Sequence, residues 1–277
     1  MSQHPSLRGR SVLITGGSRG IGRSFALALA RAGARVAVCG RSAESLDRVL
    51  TDLRDAGADE PLAVAGDVAS RSDCQRIVER VLASFGGLQV LVNNAGIGMR
   101  AVNESFTTRP LPFWEADPEA WRSIIEANVL GAFYMAHAAT PAMVGAGFGR
   151  LINLSTSPVT MVRRGYSPYG PSKSALEAMT RVWAQDLAGT GVTVNALLPG
   201  GATDTELIPG HGSERRGADG QLLPVTVMDA ALLWLASDDS GAVTGRRLIG
   251  RLWDHALPPD EAAQKAMPAP VELPAIL

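Results

Sequence analysis

Lysine is nearly missing from this chain. Of 26 lysines and arginines, only Lys173 and Lys265 are lysine. Wherever a generic cation would serve, the chain uses arginine, so a lysine that persists is a candidate for chemistry that needs an ammonium. Cysteine is equally scarce: Cys39 and Cys74 stand apart, without C-x-x-C spacing, which excludes a disulfide framework. The four histidines (4, 137, 211 and 255) show no ligand spacing, so no metal is expected. No G-x-S-x-G elbow occurs, which argues against a serine hydrolase. No apolar run reaches the roughly 18 residues of a bilayer span. The first six residues lack the charged-then-apolar profile of a secretion signal, so a cytoplasmic protein without membrane contact is expected. The formal charge is −1 and no basic stripe interleaved with aromatics appears, so nucleic acid is not an expected partner.

What is present is a chain of 277 residues, 46% hydrophobic and 19% charged, enough for one large core. Apolar runs at 11–15, 35–39, 61–66, 88–93, 150–155 and 192–198 alternate with helical patterns near 20–32, 42–56, 70–85, 118–145 and 170–188. A further helix near 225–236 and a strand near 244–250 complete the series. Such alternation predicts a three-layer, doubly wound α/β fold, its seven-stranded sheet mostly or wholly parallel with helices on both faces. A single domain over 1–255 is expected. Its two long loops, 97–117 and 200–224, follow strands that end on the ligand-binding edge of such a sheet. The Pro- and Ala-rich stretch 256–277 reads as an extended appendage.

Two motifs carry chemistry. Thr15-Gly16-Gly17-Ser18-Arg19-Gly20-Ile21-Gly22 follows an apolar run and opens an Ala/Leu-rich segment. Strand, glycine loop and helix is the arrangement that seats a dinucleotide pyrophosphate on backbone N–H groups at a helix N-terminus. The order is G-x-x-x-G-x-G, not the literal G-x-G-x-x-G, so the loop alone also fits an ordinary glycine-rich turn. The second motif is Tyr169-Gly170-Pro171-Ser172-Lys173, at the start of a helical pattern. Residues i and i+4 share a helix face, so phenol and ammonium can approach one ligand. Lowering a phenol's pKa by about three units takes about 4 kcal/mol. A cation about 4 Å away, at an effective dielectric near 20, supplies roughly that. The competing reading is an exposed helix pair, and the scarcity of lysine speaks against it.

Together with Asp67-Val68, Asn93-Asn94-Ala95-Gly96, Asn128 and Pro199-Gly200, these motifs resemble, in order and spacing, the main branch of the short-chain dehydrogenase/reductase family. The resemblance runs over about residues 8–250. It implies a Rossmann fold and an NAD(P)-dependent oxidoreductase of CH–OH and C=O groups, acting on a small carbonyl or alcohol as a homo-oligomer (tetramer or dimer). By the same resemblance, Tyr169 would be the general acid or base and Lys173 would lower its pKa and hold the nicotinamide ribose. Asn128 would hold a water in the proton relay. The loop residues Gly16, Ser18, Arg19, Gly20, Ile21 and Gly22 would carry the cofactor phosphates. Asn94, Ala95 and Gly96 would line the cofactor groove, Asp67 and Val68 would contact adenine, and Pro199, Gly200 and Ala202 would face the nicotinamide. The Asn-Asn-Ala-Gly run also reads as a strand-end turn stabiliser. The family generally places a serine thirteen residues before the tyrosine; here that position is Thr156. Ser155 or Ser157 takes its place if the loop is shifted by one residue.

Cofactor choice has a physical reading. An acid at the end of the second strand would bind the adenosine ribose diol and repel a 2′-phosphate. That position is Gly40, followed by Arg41, with Arg19 in the glycine loop. Two guanidinium groups and no carboxylate suit a phosphate, so NADP(H) is expected over NAD(H). The alternative is that both are ordinary surface arginines. Phe113, Trp114, Met161, Tyr166, Leu207 and Ile208 suggest an apolar substrate pocket. Arg163 and Arg164 are either ligands for an acidic substrate or solvated. The chain also departs from members that end in a strand and an Asp-Gly-Gly turn, continuing instead as Arg251-Leu252-Trp253-Asp254. An NAD-dependent dehydrogenase of a sugar acid or cyclic diol, and an NADP-sensing regulator without turnover, remain alternatives to a carbonyl reductase or alcohol dehydrogenase.

Overall fold

Short aliphatic runs form β1 (Ser11–Thr15), β2 (Arg35–Gly40), β3 (Leu62–Ala65), β4 (Val90–Asn93), β5 (Gly149–Leu154), β6 (Val192–Leu198) and β7 (Arg247–Ile249). In the computed structural model, which describes residues 5–210, 215–217 and 220–269, they pair in one seven-stranded sheet of order β3-β2-β1-β4-β5-β6-β7. Every pairing is parallel. The expected doubly wound Rossmann architecture is therefore present.

Period-two alternation sends side chains to two apolar layers. Val12, Ile14, Val36 and Val38 face α1 (Gly20–Arg31), α2 (Ala43–Asp55) and α8 (Asp229–Ala236). Leu13, Ala37, Cys39 and Leu91 face α3 (Arg71–Phe85) and α5 (Gly131–Gly145), with α7 (Tyr169–Asp186) beside them through Ala184. Local chemistry sets the helix starts. Ser42 and Ser70 accept from the backbone N–H groups of Ser45 and Asp73. Asp117 caps α4 (Pro118–Ile125) by accepting from Glu119 and Ala120, with Pro118 at the first helical position.

Two expectations need correcting. The helical pattern over 118–145 is not one regular helix. A π-helical stretch, Glu126–Leu130, separates α4 from α5 and contains Asn128. The stretch from 256 is not an extended appendage either, because Pro259–Ala266 forms α9 with Ala262, Ala263 and Ala266 fully buried in the core. Alanines permit close packing there, Pro259 suits the first turn, and the Trp234 indole N–H donates to Asp260 at 2.7 Å. The domain thus continues past residue 255. Residues 270–277 of the expected appendage lie outside the described residues, as do 211–214 and 218–219 of the expected loop 200–224.

Between α1 and α8, Ser24 Oγ donates to the Asp229 carboxylate, at 2.8 Å from Oδ2, and burial pushes that carboxyl up to about 6. An unfolded Asp titrates near 3.9. Between those pH values the folded chain keeps a proton that the unfolded chain has lost, so stability falls as pH rises through the window. Asp229→Asn is expected to raise the Tm at pH 7 and to lose that advantage below pH 4. Thermal melts across that range check it, and a difference independent of pH would contradict it.

Candidate active site

The glycine loop lies at the C-terminal end of β1, where the chain's crossovers diverge toward β2 and β4. Gly16 and Gly20 have φ of +62° and +51°, a region that side chains other than glycine's rarely adopt. A Cβ on Gly22 would lie 2.2 Å from the Gly16 carbonyl oxygen and 2.5 Å from Asn94 Nδ2. Asn94 Nδ2 donates to the carbonyls of Thr15 and Gly16, and Thr15 Oγ1 accepts from the N–H groups of Asn94 and Ala95. The Asn-Asn-Ala-Gly run therefore does stabilise the strand end, and what it stabilises is the glycine loop. No side chain caps the N-terminus of α1 and no carboxylate sits in its first turn, so its positive end faces an anion unopposed.

Across the crevice, β5, the π-helical stretch and the start of α7 converge. Asn128, 1% exposed, accepts from the Ile97 N–H at 2.8 Å and donates to the Ile97 carbonyl at 3.1 Å and to Ser172 Oγ at 3.0 Å. Ser172 Oγ in turn donates to the Tyr169 carbonyl at 2.7 Å. A Cβ on Gly96 would meet Asn128 Oδ1 at 3.0 Å and Lys173 Nζ at 3.7 Å, so Gly96 keeps the floor between them low. Sequence reasoning missed Ser172; its only signal was a small polar residue inside the Tyr169–Lys173 turn.

The structure separates the three candidate hydroxyls. Thr156 lies near enough to the Tyr169 hydroxyl to favour the phenolate. Ser155 donates instead to Glu177 at 2.6 Å, and Ser157 caps α6 (Pro158–Met161) by accepting from the Thr160 N–H. The expected effect of Lys173 on the tyrosine is corrected here. Burial pushes the Tyr169 phenol up to about 12, nearby Thr156 opposes this, and neighbouring Tyr166 adds to it. Burial also pushes Lys173 down to about 8, with Nζ donating to the Leu154 carbonyl at 2.8 Å and lying 5.9 Å from the Tyr169 ring centre. Desolvation dominates both groups.

At the other end of the crevice, Arg19 pairs with Glu206 at 2.5 Å and Arg41 lies 3.9 Å from Asp67, all four side chains being substantially exposed. Asp67 Oδ1 accepts from the Ala69 N–H, while Val68 packs against Gly131. Ser18 Oγ lies 3.6 Å from where a Cβ on Gly40 would be, and Ile21 packs against the core. Gly200 has φ of +87° and its carbonyl accepts from Arg251, while the Ala202 carbonyl accepts from Leu223. The Pro199 carbonyl accepts from the Arg251 N–H.

The expected apolar pocket is partly wrong. Phe113 and Trp114 are 69% and 72% exposed and pack edge-on against each other. Buried Phe106 packs edge-on against Tyr166, and Arg163 stacks over the same ring. The composition of the segment gave no sign of that outward placement. Leu207 folds back over Gly98, so the segment after β6 reaches toward the loop after β4.

The family model for short chain dehydrogenases matches residues 10–215. A 3-oxoacyl-acyl-carrier-protein reductase of Thermotoga maritima is 32% identical over 246 residues, covering 87% of this chain and 95% of the relative. The chain belongs to the short-chain dehydrogenase/reductase family. An acetoacetyl-CoA reductase of Rhizobium meliloti is 33% identical over 242 residues, covering 85% and 94%. The solved gluconate 5-dehydrogenase of Burkholderia cenocepacia, in complex with NADP and tartrate, aligns at a TM-score of 0.75 and 30% identity, covering 88% and 94%.

This short-chain dehydrogenase/reductase is an oxidoreductase of CH–OH and C=O groups that uses a nicotinamide cofactor. The cradle fits such a cofactor, because glycines clear the space a pyrophosphate needs beside an unopposed helix N-terminus. Among the described residues, no helix is long and apolar enough to cross a membrane. Gly22→Ala forces its Cβ onto backbone, so it is expected to lower the Tm by several degrees and to weaken NADPH binding at least tenfold. Thermal melts and fluorescence titration check this, and parental values for both would contradict the close approach.

Proposed function

We propose that this short-chain dehydrogenase/reductase is an NADP(H)-dependent carbonyl reductase or alcohol dehydrogenase in which Tyr169 moves the proton. The observation that carries the reading is the convergence of Tyr169, Lys173 and Asn128: buried Asn128 donates to Ser172 Oγ, which donates to the Tyr169 carbonyl, and Lys173 Nζ lies 5.9 Å from the Tyr169 ring centre. When bound, the nicotinamide supplies or accepts the hydride at the substrate's carbonyl carbon. The Tyr169 hydroxyl gives its proton to the substrate oxygen in reduction and takes one in oxidation. Thr156 donates to the same oxygen and orients it. Lys173 holds the nicotinamide ribose through its ammonium, which is charged below about 8. Asn128 holds the helix turn and a relay water in place. The glycine loop, Asp67, Val68, Asn94, Ala95, Gly96, Pro199, Gly200 and Ala202 form the cofactor bed.

A phenol held near 12 keeps its proton at neutral pH, as a general acid requires, and Lys173 is charged below about 8. The names of the reductase relatives, of a 3-oxoacyl thioester and of acetoacetyl-CoA, support a ketone as substrate. Tyr169→Phe is expected to abolish NADPH oxidation at 340 nm while leaving NADPH binding intact. Turnover should decline above about pH 8 as Lys173 loses its proton. Retained turnover in Tyr169→Phe would end the reading, whereas a parent without turnover whose NADP-dependent output survives Tyr169→Phe would favour a nucleotide sensor.

The preference for NADP(H) rests on Arg19 in the glycine loop and Arg41 after β2, with Gly40 in place of an acid at the end of that strand. Glu206 and Asp67 now occupy those guanidinium groups and would compete with the phosphate. The expected outcome is a kcat/KM for NADPH at least tenfold above that for NADH. Arg19→Ala should narrow that ratio, and Glu206→Gln should widen it by up to about fivefold, as an exposed ion pair allows. Equal or NADH-favouring values in the parent would refute the clamp. Homo-oligomerisation belongs to the same proposal, supported by exposed Phe133 and Val144 on α5 and Val182 on α7.

A further inference from the structure

Glu177 is a largely enclosed carboxylate on α7, its side chain 16% exposed. It lies one helical turn beyond Lys173 and two beyond Tyr169. Four-residue spacing puts all three on one face of the helix. Each meets a different residue of one short stretch at the end of β5. Lys173 Nζ donates to the Leu154 carbonyl, Glu177 accepts from Ser155 Oγ at 2.6 Å, and Tyr169 has Thr156 near its hydroxyl. Ser155 is also fixed from the opposite side, where its N–H donates to the Leu197 carbonyl of β6 at 2.9 Å. Arg247, from β7, binds Glu177 through Nε at 3.0 Å and through Nη2. An enclosed carboxylate needs such a partner, because its desolvation is otherwise uncompensated.

We propose that Glu177 is a positioning residue for the reaction. Paired with Arg247, it clamps Ser155 and thereby sets the backbone that aims the next hydroxyl, Thr156, at Tyr169. This rests on the reading that Thr156 and Tyr169 act on the substrate oxygen. The clamp makes no contact with the glycine loop, so it bears on kcat and leaves cofactor binding alone. Misplacement of a reacting group by a fraction of an ångström to about 1 Å costs on the order of ten- to a hundredfold in rate.

The test compares Ser155→Ala, Glu177→Ala, Glu177→Gln and the Ser155→Ala/Glu177→Ala double variant in the full chain. Readouts are kcat and KM for a carbonyl substrate, the NADPH dissociation constant, and Tm. Ser155→Ala and Glu177→Ala should each lower kcat about tenfold or more with the NADPH dissociation constant unchanged. The double variant should be no slower than the worse single one, because both remove the same bond. Glu177→Gln keeps an acceptor for Ser155 and should recover most of kcat even though it loses the charge pair. Should Glu177→Ala fail to fold, Ser155→Ala and Glu177→Gln carry the comparison. A lowered Tm with parental kcat in Ser155→Ala, or additive losses in the double variant, would overturn the inference. Turnover surviving Tyr169→Phe is a separate result, striking at the underlying reading and not at the clamp.

Discussion

A parallel sheet has to return its chain across a face after every strand, and at β1 those returns part company. The chain leaves β1 for β2 on one side, while β4 lies on the other, and between them the C-terminal ends open a crevice. Everything chemical in this molecule is arranged along that opening. Asn94 laces the end of β4 to the glycine loop, Gly22 brings α1 against it, and Gly96 leaves room for Asn128 and Lys173 beyond. A few ångströms of missing side chain thus decide where a dinucleotide can lie.

The second constraint is desolvation. Burial shifts both Tyr169 and Lys173 toward their neutral forms, although Lys173 stays charged below about 8, and desolvation outweighs any acidifying effect of the ammonium on the phenol. Hydrogen bonds to defined partners, the Leu154 carbonyl for the lysine and Ser172 Oγ for the Tyr169 backbone, hold the groups in register in spite of that cost. The sheet's far edge takes part too. Arg247 on the three-residue strand β7 reaches Glu177, so a chain end that departs from the family's usual turn still bears on the catalytic face.

Much of this was legible in the amino acids, for physical reasons that differ by element. The strands were readable because most are short aliphatic runs buried on both faces, and α4 because Asp117-Pro118 is a capping pair. A spacing alone singled out Thr156, whereas the partners of Ser155 and Ser157 became visible only with Glu177 and the start of α6 in place. The π-helical stretch at Asn128 was invisible, since its residues fit a regular helix equally well and tertiary bonds to Ile97 and Ser172 accompany the register change. Helix α9 was hidden by its prolines, which start the helix instead of preventing it. The outward turn of Phe113 and Trp114 had no signal, because aromatic residues in a loop serve a pocket and a surface alike.

A crystal structure of the protein with NADP(H) bound tests the central claim most directly. The account predicts pyrophosphate on the backbone N–H groups of Gly16–Gly22, a ribose hydroxyl on the Lys173 ammonium, and the nicotinamide ring facing the Tyr169 hydroxyl. Cofactor seated elsewhere, or a Tyr169 hydroxyl turned away from the ring, would contradict it.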